Sequence, residues 1–90
     1  AWDHRRVILS WAEHAWDDYL YWQKTDKKIH KRINLLLKEI KRAPFDGLGD
    51  PEPLKHNWSG YWSRRINREH RLIYTVKDES IIVVQCRYHY

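Results

Sequence analysis

A few side chains in this sequence could together break a phosphodiester without a metal. Histidine titrates near neutrality and can give or take a proton, and His89 stands in the closing run Arg87-Tyr88-His89-Tyr90. Tyr90 adds a flat ring that can stack on a base, and a hydroxyl. Glu52 is flanked by Pro51 and Pro53, whose restricted backbones would hold its carboxylate at a defined angle. From Lys55 to Lys77 the cations Lys55, Arg64, Arg65, Arg68, Arg71 and Lys77 face Glu69 alone among acids, with Trp58, Tyr61 and Trp62 among them. Basic and aromatic side chains mixed on a sheet suit phosphates and unstacked bases.

These groups are the parts needed for RNA cleavage. A base takes the proton of a ribose 2′-OH, and the oxyanion attacks the adjacent phosphate. A cation stabilises the charged transition state, and an acid protonates the leaving 5′-oxygen. Taken singly, each has a plainer role: His89 as an exposed polar terminus, Glu52 as a charged loop residue, the arginines as a solvated sheet face. Composition does not show that they converge.

Composition narrows the partners. The formal charge is +5, with six Trp and six Tyr against one Phe. Such a balance fits an acidic partner, nucleic acid above all, or ordinary solubility charge. The single cysteine, Cys86, rules out an intrachain disulfide framework and a cysteine-based zinc cluster, and its apolar neighbours mark it as a small core residue. None of the histidines falls in an HExxH or Cys/His spacing, and no P-loop, GxGxxG or Ser/His/Asp order is present, so neither metal nor cofactor is expected. No apolar run approaches the length of a membrane span or signal peptide, and a cytoplasmic location is expected.

The elements that must position these groups are legible in outline. Val7-Ile8-Leu9 predicts a buried strand. Ser10 with Glu13 predicts a capping box opening a helix over 12–24, with Ala12, Trp16, Tyr19 and Leu20 at helical spacing. Thr25-Asp26 breaks that helix and caps the next. In the second, Ile29, Ile33, Leu36, Leu37 and Ile40 form one apolar stripe, and Pro44 ends it. Residues 43–53 hold every proline and two of the three glycines and predict a loop. The pattern then turns to period two, predicting antiparallel strands over 54–58, 61–66, 70–77 and 80–90. The order predicts one α+β domain over 1–90, with an N-terminal strand and two helices packed on one face of a mainly antiparallel sheet.

A resemblance sharpens this. Trp16-Asp17-Asp18-Tyr19-Leu20-Tyr21-Trp22-Gln23, Pro51-Glu52-Pro53-Leu54-Lys55, Gly60-Tyr61-Trp62-Ser63-Arg64-Arg65-Ile66, Glu69-His70-Arg71-Leu72-Ile73-Tyr74 and Cys86-Arg87-Tyr88-His89-Tyr90 resemble, in order and spacing, the Txe/YoeB toxins of the RelE-like group. The resemblance runs from about Val7 to Tyr90. It leaves 1–6 as an N-terminal extension, and without an initiator methionine the start is expected to be added or processed sequence. It implies the RelE-like microbial RNase fold and a type II toxin that cuts mRNA in the ribosomal A site without a metal. It further implies Glu52 as general base, Arg71 stabilising the transition-state phosphate, His89 as general acid and Tyr90 orienting the substrate. Lys55 and Arg65 then hold phosphate, and Glu69 supports His89 or Arg71. The implied partners are the ribosome with its mRNA, an acidic YefM-like antitoxin that silences the enzyme by acting on the tail, and a second copy of the toxin. Two alternatives remain: a non-catalytic RNA or ribosome binder on the same scaffold, and a regulatory partner of the antitoxin.

One point of geometry is open at this stage. With Asp78-Glu79 as a two-residue hairpin loop, Arg71 pairs with Cys86, which puts Arg71 and His89 on opposite faces of the sheet. Convergence requires a bulge, an odd-length loop, or a tail that leaves the strand.

Overall fold

The computed structural model describes residues 2–89. Strand β1 (Ile8–Trp11) leads into helix α1 (Glu13–Thr25) and helix α2 (Lys27–Arg42). Strands β2 (Glu52–Pro53), β3 (Tyr61–Arg65), β4 (Arg71–Lys77) and β5 (Ser80–Gln85) follow, with a 3-10 turn at His56–Trp58. The sheet order is β1-β5-β4-β3-β2, antiparallel throughout except for the parallel β1–β5 pair. Both helices lie on one face, so the fold is the α+β arrangement expected.

Helix α2 follows its sequence closely. The Asp26 carboxylate accepts from the N–H groups of Lys28 and Ile29, supplying partners for two otherwise orphaned donors. Ile33, Leu36, Leu37 and Ile40 are buried, each contributing roughly 1.5–3 kcal/mol of burial. They meet Leu72, Tyr74, Ile81, Val83 and Cys86 from the sheet in one core. The helix stops at Arg42, before Pro44.

Helix α1 departs from the expected stripe only in part: Ala12 and Tyr19 do pack against the core. It buries Ala15 and Trp22, while Trp16 is 42% exposed and packs against Trp11 and Tyr19 at ring separations of 5.5 Å. Nor does Ser10 cap it. Ser10 lies in β1 opposite Ile82, the Ala12 N–H donates to Val83 O, and the helix begins one step later with Ala12 as an uncapped N-cap. Pairing with β5 claims the segment that a local cap would have used. β1 itself is an edge strand with Ile8 largely exposed, and is not the buried strand expected. Near the N-terminus, Trp2 lies against the core and donates its indole N–H to Lys41 O.

Three further differences bear on the site. Pro51-Glu52-Pro53 is not all loop: Glu52–Pro53 pairs antiparallel with Ser63–Trp62 at the sheet edge, a position that tolerates proline. Residues 54–58 do not form a strand, because His56 adopts a left-handed backbone (φ 58°) and the chain winds into the 3-10 turn. The last strand ends at Gln85, short of the expected run to Tyr90.

Candidate active site

The face of the sheet away from the helices is set by register. Cross-strand partners share a face, and so do residues two apart on a strand. Glu52 pairs with Ser63, Ser63 with Ile73, and Ile73 with Gln85, giving one row across the sheet. Arg65 and Arg71 pair with each other two residues further along, so they form the next row on the same face. The residues between them point to the core. Trp62 packs against Phe45 with ring centroids 5.0 Å apart, and Arg64 is fully buried.

Arg64 is thus no part of a basic surface. Its Nε donates to the Tyr74 hydroxyl, Nη1 to Leu48 O, and Nη2 to Ala43 O and Asp46 O. A planar fork with several donors can satisfy all of these at once, which a lysine cannot. The Tyr74 hydroxyl donates on to Pro44 O. Burial pushes the Tyr74 phenol up, partly offset by Arg64. The bonds lock the segment from Ala43 to Leu48 onto the sheet. Gly49 then lies close against it, its carbonyl accepting from the Arg65 N–H at 2.7 Å. A Cβ on Gly49 would stand 2.7 Å from Leu36 Cδ2, and its φ of +88° is itself unfavourable for other residues. Asp50, also left-handed at φ 54°, turns the chain into β2.

At the far side β5 carries a bulge. Tyr74 pairs with Val83 but Ile73 with Gln85, leaving Val84 as the extra residue. The chain then departs from the strand: Tyr88 is left-handed (φ 65°), its carbonyl accepts from the Arg71 N–H at 3.0 Å, and its N–H donates to His70 Nδ1 at 2.7 Å. The bulge and the departure are two of the solutions that convergence required. Gln85 Nε2 donates to His89 O, and His89 Nε2 lies 3.5 Å from Arg68 O.

The result is a cavity of about 200 Å³ lined by Asp50, Glu52, Ser63, Arg65, Arg71 and His89. Of the residues singled out from sequence, Glu52, Arg65, Arg71 and His89 meet there. Arg71 is held by Nη1, which donates to Asn67 O and His70 O, so the donors on Nε and Nη2 are left for a ligand among the described residues. Lys55 lines a neighbouring cavity instead, with His56 and Trp58, and Glu52 borders both. Glu69 Oε1 lies 3.7 Å from His70 Nε2. Tyr90 lies outside the described residues. Sequence reasoning missed Asp50 and Ser63. Ser63 alternates with Arg65 and could have been found from period two, whereas Asp50 reaches the cavity only through the left-handed turn after Gly49.

The tail is more firmly tied than a terminus of this length suggests. Trp22 Nε1 donates to Cys86 O, and the Cys86 side chain is fully buried with its Sγ on Ala15 O. The Arg87 guanidinium stacks 3.9 Å from the Tyr21 ring and 4.8 Å from Tyr88, with Asp18 at 3.9 Å. The motif from Trp16 to Gln23 therefore supplies the tail's seat. Burial, with a smaller contribution from Asp18, pushes the Cys86 thiol up to about 12.

A family model described as "YoeB-like toxin of bacterial type II toxin-antitoxin system" matches residues 11–90. The chain belongs to this family. Toxin YoeB of Escherichia coli strain K12 is 63% identical over 82 residues, 91% of this chain and 98% of that protein. Among solved structures, a YoeB dimer from Staphylococcus aureus is 51% identical with a TM-score of 0.88, covering 94% of this chain and 99% of that one. A YoeB–YefM complex from the same organism is 50% identical with a TM-score of 0.87 at the same coverage. The extent of these matches makes the RelE-like toxin fold of the YoeB family a property of the whole sheet and both helices. No helix among the described residues is long and apolar enough to cross a membrane.

Proposed function

We propose that this YoeB-family toxin is a ribosome-dependent mRNA endonuclease that works in the A site by metal-independent acid–base chemistry. The observation that carries the reading is the cavity in which two carboxylates, Asp50 and Glu52, two guanidinium groups and an imidazole meet, drawn from the turn before β2, from β2, β3 and β4, and from the tail. Glu52 takes the proton of a ribose 2′-OH at one edge. The oxyanion attacks the adjacent phosphorus, and Arg71 with Arg65 stabilises the negative charge that builds on the phosphate oxygens. His89, at the opposite edge, gives its proton to the departing 5′-oxygen, leaving a 2′,3′-cyclic phosphate and a 5′-hydroxyl. Tyr90 orients the substrate, and Lys55 holds a flanking phosphate from the neighbouring cavity. The positively charged chain suits a ribosomal partner, and a YefM-like antitoxin and a second toxin copy are the protein partners, as in the S. aureus assemblies.

Primer extension on an mRNA, with and without ribosomes, tests the reading. Cuts at A-site positions only when ribosomes are present are the expected result. Stalled translation with intact mRNA would replace it with a non-catalytic binder.

A further inference from the structure

His70 makes the contact on which the tail turns. We propose that His70 is the positioning residue that presents His89 to the cavity: its Nδ1 lone pair takes the Tyr88 N–H, which a regular antiparallel pair would give to the Arg71 carbonyl, and fixes the left-handed bend at Tyr88. The proposal rests on the endonuclease reading for its functional consequence, but the latch itself is independent of it.

Tyr88 has both backbone polar groups claimed by consecutive residues of one strand edge. Its carbonyl accepts from the Arg71 N–H at 3.0 Å and its N–H donates to the His70 ring at 2.7 Å. In an ordinary antiparallel pair the same two residues exchange both bonds, so the Tyr88 N–H would go to the Arg71 carbonyl. It goes to the His70 ring instead. The His70 carbonyl faces the other way, accepting from the N–H groups of Ile66 and Asn67, which close the turn before β4, and from Arg71 Nη1. The His70 side chain therefore stands in for the ladder at Tyr88. A left-handed backbone at a tyrosine persists only where its surroundings hold it, and these two bonds bracket that residue. The next residue is His89.

The ring is suited to the task. His70 is buried at 5% exposure, edge-on to Trp22 at 4.8 Å and near the Tyr88 ring at 5.7 Å. Acceptance at Nδ1 puts the ring proton on Nε2, which faces Glu69 Oε1 at 3.7 Å. Phenylalanine would keep the packing and lose the acceptor, orphaning the Tyr88 N–H. Asparagine would offer an oxygen near the position of Nδ1.

The test compares wild type, His70→Phe and His70→Asn in two measurements on the whole protein. The first is hydrogen exchange of the Tyr88 amide against the Ser63 and Ile73 amides. The second is single-turnover cleavage of mRNA on programmed ribosomes. In His70→Phe the Tyr88 amide is expected to exchange about tenfold faster, or more, while the ladder amides keep their protection. The cleavage rate constant is expected to fall at least about tenfold with toxin–ribosome affinity unchanged. His70→Asn should restore part of both. Unchanged Tyr88 exchange in His70→Phe overturns the latch, as does wild-type exchange at Tyr88 as fast as in an unstructured peptide, a result that needs no variant. Faster exchange with undiminished cleavage overturns the positioning role. Wild-type protein that leaves mRNA uncut removes the endonuclease reading and with it the positioning role, while the exchange data still judge the latch.

Discussion

Arg71 gives its backbone N–H to the carbonyl of Tyr88, although the register counted from the Asp78-Glu79 turn would set Arg71 opposite Cys86. The extra residue, Val84, changes the count. Because side chains alternate, one inserted residue moves every later side chain to the other face. Cys86 thereby turns into the core against Ala15, and His89 comes round to the face that carries Arg65, Arg71 and Glu52. The bulge thus serves the core and the cavity together.

Removing His89, the proposed acid, should separate chemistry from stability. His89 is exposed and the core ends at Cys86. His89→Ala is expected to lower the cleavage rate on ribosomes by about 10²–10⁴-fold while the melting temperature stays within a few degrees of wild type. Undiminished cleavage by that variant would remove His89 from the mechanism.

A base acts on the rate and a docking residue on binding. Glu52→Gln keeps shape and loses the charge, so single-turnover cleavage is expected to slow by about 10²-fold or more at unchanged ribosome affinity. Weakened binding with a normal rate constant would make Glu52 a docking group instead.

Arg64 is the test of the scaffold. Arg64→Met keeps much of the volume but strips the donors from Leu48, Ala43 and Asp46 carbonyls. These acceptors are half-buried, and each left without its partner costs about 1 kcal/mol or more. The expected loss of roughly 3 kcal/mol or more lowers the melting temperature by at least about 10 °C, read by thermal unfolding. Arg64→Lys should recover little of it, since a single ammonium cannot span the same acceptors.

The thiol sets a limit at alkaline pH. Cys86 ionises normally at 9.0 when unfolded and at about 12 when folded, chiefly because of burial. The folded state therefore holds its proton longer, so stability is whole below pH 9 and falls as pH rises from there toward 12. Tyr74, also raised, acts in the same direction from pH 10.0 upward. Urea midpoints measured between pH 8 and 11 should decline, and Cys86→Ala should make the decline shallower. In the native protein at neutral pH the thiol should resist alkylation that is rapid in denaturant.

Local pattern determined much of this protein. The apolar stripe of α2, its Asp26 cap and its stop before Pro44 follow from spacing within a few residues. So do the β3 and β4 strands, and the family motifs mark Glu52, Arg65, Arg71 and His89 as members of one set. Which neighbour turns inward was not local. Arg64 and Arg65 are adjacent and chemically identical, yet one is sealed in the core and the other lines the cavity, because only the pairing of β3 assigns the faces. Ser10 has a sound capping pattern that pairing with β5 overrides. The bulge at Val84 and the His70–Tyr88 bond join segments far apart in sequence, and no periodicity within either segment encodes them. Side-chain type and short-range spacing determined which groups are present. Long-range register, where a single residue reverses a face, decided which of them meet.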